Sequence, residues 1–453
     1  MAYRKRKTKH LRWKNIAIFC SIILIAAIIL ISALLKPAVG GNNVSSSSPQ
    51  QSSEITSVVS SEPIKESFAK VVSIGDIMVH STQFKGAYNP STKEYDFSAF
   101  FKEISPYFKD ADLAVGNLEV TFGGEESGEY RGYPTFNTPD SLADYIKDAG
   151  INLLLTANNH SYDTGLFGLK RTARTLKTKG ISFIGTRESE EESLYTVKEI
   201  NGIKIGMADY TYETGGSDPN RKYLNGIRLS EEANSLVSSF DYNKIEQFYT
   251  EAETVISDMK DSGAEFIVFY IHWGNEYQTT PNTAQKSIAQ RLANLGVDII
   301  IGSHPHVIQP VELIHSEDGQ STTVCLYSSG NAVSNQRQEI MTSIKTGHTE
   351  DGTIFSYTLR KYGDEVTLDS VDIIPTWVNR YSGNNGYLYT IYPLEQKDWG
   401  STKYGLNSTA ANKALKSYER TEKIISKGLF EIQKNIGCDI RFNIEETTST
   451  TTE

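Results

Sequence analysis

Cysteine is scarce in this chain: three in 453 residues, at positions 20, 325 and 438. Three scattered cysteines build neither a disulfide framework nor a zinc knuckle, and the one bridge open to them outside the cytoplasm is Cys325–Cys438. Basic residues are also in deficit, with 45 Lys and Arg against 55 Asp and Glu, a net charge of −10. Seven of the 45 (Arg4, Lys5, Arg6, Lys7, Lys9, Arg12 and Lys14) fall in the first 15 residues, which hold no acid; the remainder carries 38 against 55, or −17. That balance excludes non-specific nucleic-acid binding by the main body, and no nucleic-acid partner is expected. Internal repeats are lacking, and long apolar runs are confined to one.

That run, residues 16–35, is interrupted only by Cys20, Ser21 and Ser32 and is long enough to cross a bilayer as a helix. The basic residues before it predict a single-pass plasma-membrane protein with a cytoplasmic N-terminus and an extracellular main domain. A cleaved signal peptide is the alternative, since Ala38-Val39-Gly40 offers small residues, but twenty apolar residues exceed the usual ~7–15 of such a segment. The organisation expected is a basic tail (1–15), an anchor (16–35), a Ser/Gln-rich tether (36–67), a folded domain (68–375), a C-terminal extension beside it (376–444) and a Thr/Glu tail (445–453).

Within the folded part, short apolar runs alternate with helical patterns, the signature of an α/β fold. Residues 151–155 read as a strand buried on both faces that stops at Asn158-Asn159-His160, and a helical pattern resumes at Gly165 and ends at Gly180. A helix is expected over 97–108, a hairpin at 194–210 around Asn201-Gly202, a helix over 242–261, and strands at 266–271, 297–301, 308–314, 322–327, 353–359 and 366–374. Beyond Pro375 the pattern weakens until a helix over 410–427.

Five strand ends finish in groups able to bind a metal: Asp76 with His80, Asn117 with Glu119, Asn159 with His160, His272, and His304 with His306. Each alone has a plain explanation, as a turn cap, a surface acid or a half-buried imidazole. The pair flanking Pro305 is harder to dismiss, because proline would hold the two imidazoles in extended geometry just past an apolar strand. Strands adjacent in one sheet bring their carboxyl ends to one crevice, so the groups would cluster although 230 residues separate the first from the last. Carboxylate, imidazole and amide-oxygen ligands without thiolate suit divalent manganese, iron or zinc, as one or two ions.

The series Gly75-Asp76-Ile77-Met78, Gly116-Asn117-Leu118-Glu119, Ala157-Asn158-Asn159-His160 with Asp163 and Gly165, His272-Trp273-Gly274-Asn275-Glu276-Tyr277, and Gly302-Ser303-His304-Pro305-His306-Val307 resembles the CapA/PgsA family of poly-γ-glutamate capsule synthesis, itself similar to calcineurin-like metallophosphatases. The resemblance covers residues 70–375. It implies a four-layer α-β-β-α sandwich with metal at the strand ends. Carried over by motif, Asp76, Asn159, His272, His304 and His306 match ligand positions, and His160 matches the histidine that gives a proton to the leaving group. The phosphoesterase pattern has Asp-x-His where this chain has His80 four residues after Asp76, and a bridging Asp where this chain has Glu119. Whether Glu119 bridges therefore decides between one ion and two; Asn117, Asp163 and His80 are further ligand or supporting candidates.

The expectation is a metal-dependent enzyme acting in synthesis, export or processing of an anionic cell-surface polymer, poly-γ-glutamate or its precursor, beside membrane polymer-synthase subunits. His160 would move protons with Glu276 as partner, and Arg131, Tyr133 and Asn331 would touch substrate. A chain at −17 does not attract a polyanion at long range, so attraction must come from the metal and from local Arg or Lys groups. An extracellular metallophosphoesterase and a non-catalytic scaffold are the alternatives.

Overall fold

Nearly every central strand of this protein divides its alternate side chains between two apolar cores, which is why the sequence shows unbroken apolar runs. The computed structural model describes residues 65–444, apart from 219 and 343. In chain order the elements that matter are β1 (Glu66–Ile77), β2 (Leu113–Leu118), α1 (Ser141–Ala149), β3 (Leu153–Leu155), α2 (Gly165–Lys179), β4 (Ser182–Ile184), β5 (Tyr195–Ile200), β6 (Ile203–Tyr212), β7 (Ser239–Phe240), α3 (Ile245–Asp261), β8 (Phe266–His272), α4 (Thr283–Asn294) and β9 (Ile299–Ser303). There follow β10 (Val311–His315), β11 (Thr322–Leu326), β12 (Asn331–Val333), β13 (Asp351–Tyr362), β14 (Glu365–Ser382), β15 (Tyr387–Pro393) and α5 (Ser408–Ile436).

Two mixed sheets result. The first runs β15-β14-β13-β1-β2-β3-β4, with β12 also beside β1; the second runs β7-β6-β8-β9-β11-β10, with β5 on β6. Pairing is parallel through β1-β2-β3-β4 and through β6-β8-β9-β11. Val71, Val115 and Leu153 of the first sheet meet Met207, Val268 and Ile299 of the second in one core. The outer face of the first sheet, with Val72, Ala114 and Leu154, is covered by Leu142 and Ile146 of α1. Phe269 and Ile300 on the outer face of the second are covered by Val255 of α3 and Ile288 of α4. The layers are α-β-β-α, as the resemblance implied.

Several boundaries differ from the sequence reading. The helix expected over 97–108 is two short ones, Ser98–Phe101 and Ser105–Lys109, because Pro106 cannot donate to a preceding turn and is tolerated only at a fresh helix start. β14 passes straight through Pro375, where the sequence pattern weakens. The missing N–H costs nothing there, because pairing with β15 begins only at Thr376. The helix expected over 410–427 is the 29-residue α5, whose Ile425, Leu429 and Ile432 complete the core between the sheets. Residues 66 and 67, expected in the tether, are already strand. Cys325 and Cys438 are both free thiols.

The expected location is corrected: among the described residues no helix is long and apolar enough to cross a membrane. The apolar run at 16–35 that carried the single-pass expectation lies outside the described residues, as do the basic tail and residues 445–453.

Candidate metal centre

The inward-facing parity of the strands continues past their apolar parts, and this is what gathers the polar groups. In β2, Leu113 and Val115 face the second sheet, so Asn117 and Glu119 fall on the same side. In β8, Val268 and Tyr270 set the side on which His272 lies, and in β9 Ile299 and Ile301 do so for Ser303, its register partner. Asp76 is the exception that needs a device. Regular alternation from Val71 would send it outward with Val72 and Ile74. The β1-β2 register shifts between Ile74 and Asp76, after which Ile77 joins the outer core and Asp76 turns inward. Gly75 sits at that bulge because β12 passes so close that a Cβ would overlap the Gly330 carbonyl; at Gly302 the Tyr327 carbonyl sets the same requirement.

Two triads of potential ligands result, Asp76-Glu119-His306 and Glu119-His272-His304, each with its ligand atoms within 4.8 Å of one another and every residue buried. Glu119 belongs to both. Its Oε1 lies 3.6 Å from Nε2 of His272 and 3.7 Å from Nε2 of His306. Asp76 Oδ2 is 3.0 Å from Nδ1 of His306, and Asn159 Oδ1 is 2.8 Å from Nε2 of His272. His304 and His306 both have positive φ, 94° and 56°. The Pro305 loop is therefore curled rather than extended, and the two rings stand 5.9 Å apart.

The electrostatics fit a cation. Glu119 is fully buried with neither carboxylate oxygen hydrogen-bonded, and His304 Nδ1 is likewise without a partner. Burial, reinforced by Asp76, pushes the Glu119 carboxyl well above its ordinary range. Burial and neighbouring imidazoles, among them His160, hold His272 and His304 well below theirs, which leaves them neutral, the form that binds metal.

Around this centre is a supporting layer. Asn117 Nδ2 donates to Asp76 Oδ1 at 2.8 Å and lies 3.5 Å from His272 Nδ1, while Ser303 Oγ is 2.9 Å from that nitrogen. Asn158 Nδ2 donates to the Asn117 side chain and the Leu118 carbonyl, and its Oδ1 accepts the His160 N–H. Asp209 of β6 reaches across from the second sheet: its Oδ2 accepts the amides of Thr156 and Ala157 at 3.0 and 2.8 Å. Asn158, Ser303 and Asp209 were missed in the sequence; the only signal for Asp209 is an acid inside an apolar strand.

His160 Nδ1 is 2.7 Å from Asp163 Oδ2, which also accepts the Phe136 amide at 2.6 Å, and the Phe136 ring stands edge-on to His160 at 4.7 Å. Asp163 thus partners His160 where Glu276 was expected; Glu276 is exposed, on the loop after His272. His80 stands apart from both triads as the N-cap of a short helix, its Nδ1 3.2 Å from Gln83 Oε1 and 3.3 Å from the Asn335 amide. Of the expected substrate contacts, Tyr133 is 70% exposed. Arg131 folds back onto Thr135 and the Ser127 carbonyl within its own loop. Asn331 is corrected to a supporting role: it is buried, and its Nδ2 binds the carbonyls of His306 and Thr349.

Known proteins resemble this chain. The capsule biosynthesis protein CapA of Bacillus anthracis is 27% identical over 306 residues, spanning 67% of this chain and 66%, just under two thirds, of that one. The PGA biosynthesis protein CapA of Bacillus subtilis (strain 168) is 26% identical over 331 residues, 71% of this chain and 76% of that one. Among solved structures, a Mycoplasma pneumoniae phosphatase aligns with 14% identity and a TM-score of 0.39, covering 69% of this chain and 94% of its own. A calcineurin-like phosphoesterase from Bacillus subtilis aligns with 13% identity and a TM-score of 0.38, covering 79% and 99%. Scores this low carry nothing to the site. The model of the bacterial capsule synthesis protein family PGA_cap matches residues 70–336, more than half of the chain, and the chain belongs to that family.

Proposed function

We propose that this protein acts in capsule synthesis by processing an anionic polymer, poly-γ-glutamate or its precursor, at a divalent-metal centre held by Asp76, Glu119, Asn159, His272, His304 and His306. Family membership and the two Bacillus relatives, proteins of capsule and PGA biosynthesis, support the process. The observation that carries the chemistry is Glu119, a fully buried carboxylate whose two oxygens accept no hydrogen bond and which belongs to both ligand triads. Leaving such a group without a counter-charge is costly, and a cation removes the cost.

Manganese, iron or zinc fits the donor set, and such an ion when bound supplies Lewis-acid polarisation of a carbonyl, carboxylate or phosphoryl oxygen. The chain's own residues do the rest. Asp163 fixes His160 through Nδ1, leaving Nε2 as the nitrogen that carries a proton to or from the reacting group. Phe136 packs against the His160 ring and shields the dyad from water. Glu276 and Tyr133 lie on exposed loops, and this reading gives them contact with substrate rather than proton transfer. Polymer-synthase subunits are the partners this reading implies.

A second reading, a metallophosphoesterase for nucleotides or phosphodiesters, is favoured by the shared Glu119, because displacement at phosphorus commonly uses two ions joined by a carboxylate. One experiment separates the two. Purified protein loaded with manganese, iron or zinc is given poly-γ-glutamate, with chain length read by gel electrophoresis, and in parallel a chromogenic phosphodiester. Polymer shortening that His160→Ala abolishes supports the first reading, and ester turnover alone supports the second. Protein that takes up no metal by elemental analysis sinks both.

A further inference from the structure

Helix α5 lies outside the matched span 70–336 and carries Lys413, Lys416, Arg420, Lys423 and Lys427. The intervals of three and four residues place all five on one face of the helix, roughly 21 Å long at about 1.5 Å per residue. The opposite face holds Ile425, Leu429 and Ile432 in the core. Lys416, Lys423 and Lys427 are exposed.

What sets this stripe apart is the lack of neutralisation. Helix α2 has a comparable basic series, and each member is answered by an acid from another element: Lys170 by Glu232, Arg171 by Asp140, Arg174 by Glu188, Lys177 by Glu188 and Glu192, and Lys179 by Asp144. On α5, Arg420 is paired with Asp351 and Lys413 lies 4.0 Å from Glu339. Among the described residues no acid stands within ion-pairing distance of Lys416, Lys423 or Lys427. Of the helix's three acids, Glu419 is taken by Lys397, and neither Glu422 nor Glu431 forms an ion pair with the stripe. Like charges at these spacings disfavour a helix, and this one keeps them in a chain whose net charge is −10.

The stripe also has a recess and a hydrogen-bonded link to the metal centre. A cleft of about 360 Å³ opens beside Lys413, Lys416 and Arg420, lined also by Trp377, Gln338 and Glu350, an acid already paired with Arg337. Arg420 Nη2 donates to the Gly347 carbonyl and pairs with Asp351. Between those two residues lies Thr349, whose carbonyl Asn331 binds together with that of His306.

We propose that this face of α5 is a docking track for a linear polymer of carboxylates, which it feeds toward the metal centre. The inference rests on the reading of an anionic polymer as substrate and supplies the local cations that an acidic chain needs to hold one. Helix spacing matches a repeating anion better than a single one, and Arg420, at the middle of the track and paired with Asp351, ties the helix to the turn that is hydrogen-bonded to the His306 loop through Asn331.

The test uses the full-length chain and poly-γ-glutamate as probe. Affinity is measured across a salt series for the wild type, for Lys416→Glu/Lys423→Glu/Lys427→Glu, for the milder triple Lys→Gln variant, and for Lys85→Glu/Lys109→Glu/Lys286→Glu as a charge-matched control. Zero-length carboxyl-to-amine crosslinking, read by mass spectrometry, locates the polymer irrespective of the basic residues at 4–14. The track variants are expected to lose about tenfold in affinity at low salt and to show a shallower salt slope, with the control near wild type. Crosslinks should fall on Lys416, Lys423 and Lys427. Equal losses in track and control variants, or crosslinks elsewhere, overturn the proposal. So does preferential binding of this face to phosphatidylglycerol vesicles, which would make it a lipid surface. His304→Ala should lose metal yet keep the crosslinks to Lys416, Lys423 and Lys427, and the track variants should keep metal, so failure of the track and failure of the metal centre are read separately.

Discussion

The side-chain oxygen of Asn159 lies 2.8 Å from Nε2 of His272, which joins the loop after β3 in the first sheet to the end of β8 in the second. Two potential ligand atoms this close, with Glu119 Oε1 at 3.6 Å from the same nitrogen, share a proton when no cation is present and would both turn to one that is. Asn159→Ala is therefore expected to weaken metal binding by on the order of 10–100-fold in a calorimetric titration. His160→Ala, one residue on, should keep metal and lose turnover, because its Nδ1 is committed to Asp163. Equal metal loss in both variants would put His160 among the ligands and overturn this division.

Glu119→Gln separates a structural acid from a metal-binding one. The wild-type carboxylate is buried without a hydrogen bond, so in chelator the amide should stabilise the protein by about 1–3 kcal/mol in urea unfolding. Added metal should stabilise the wild type and leave the variant unchanged. A variant less stable than wild type in chelator would show that the carboxylate has a partner in the metal-free fold.

Acid should unfold the metal-free protein over a defined window. Burial drives His80 from its ordinary 6.5 down to about 4, and His272 and His304 shift in the same direction. A depressed folded-state value means that the unfolded chain binds more protons between about pH 4 and 6.5, so stability is complete above 6.5 and declines as pH falls. Glu119, shifted upward, works in the opposite sense, losing its contribution as pH rises. His80→Asn keeps an acceptor near the Asn335 amide and removes the titration. It should flatten the pH dependence of urea unfolding by on the order of 2–3 kcal/mol between pH 6.5 and 4. An unchanged slope would mean that the half-buried His80 is not held neutral in the fold.

Much of this was legible in the sequence because apolar strands that end abruptly in Asp, Asn, Glu or His declare both a sheet and its functional edge. What a linear pattern does not show is parity. The bulge at Gly75 that turns Asp76 inward follows from a neighbouring strand, β12, which contributes only Asn331–Val333 and lies more than 250 residues away. The curled backbone at His304 and His306 is likewise invisible, since Pro305 by itself argues for extension. Asn158 and Asn159 lie in the turn after β3, beyond the reach of the strand period, and only the fold separates what they touch: Asn159 meets His272, while Asn158 ties Asn117 to the His160 amide. Glu276 follows His272 by four residues and is the acid the motif offers, yet only the tertiary fold shows that Asp163 already occupies His160.

Asp209 offers the sharpest test of how the two sheets are held in register at the centre. It lies on the inward face of β6, is fully buried, and accepts the amides of Thr156 and Ala157 with one oxygen; burial pushes its carboxyl well above the usual range despite those bonds. A carboxyl kept neutral this way is closely mimicked by an amide, whose oxygen accepts the same two bonds. Asp209→Asn should therefore fold with stability within about 1 kcal/mol of wild type and bind metal as well. Asp209→Ala strands the Ala157 amide, leaves Thr156 only the Ile184 carbonyl, and opens a cavity against Gly185, where even a Cβ would collide with the Asp209 carboxylate. It should lose about 2–4 kcal/mol and weaken metal binding through the displaced Asn159 loop. If Asn proves as damaging as Ala, Asp209 is ionised in the fold, and its charge rather than its two accepted bonds holds the loop.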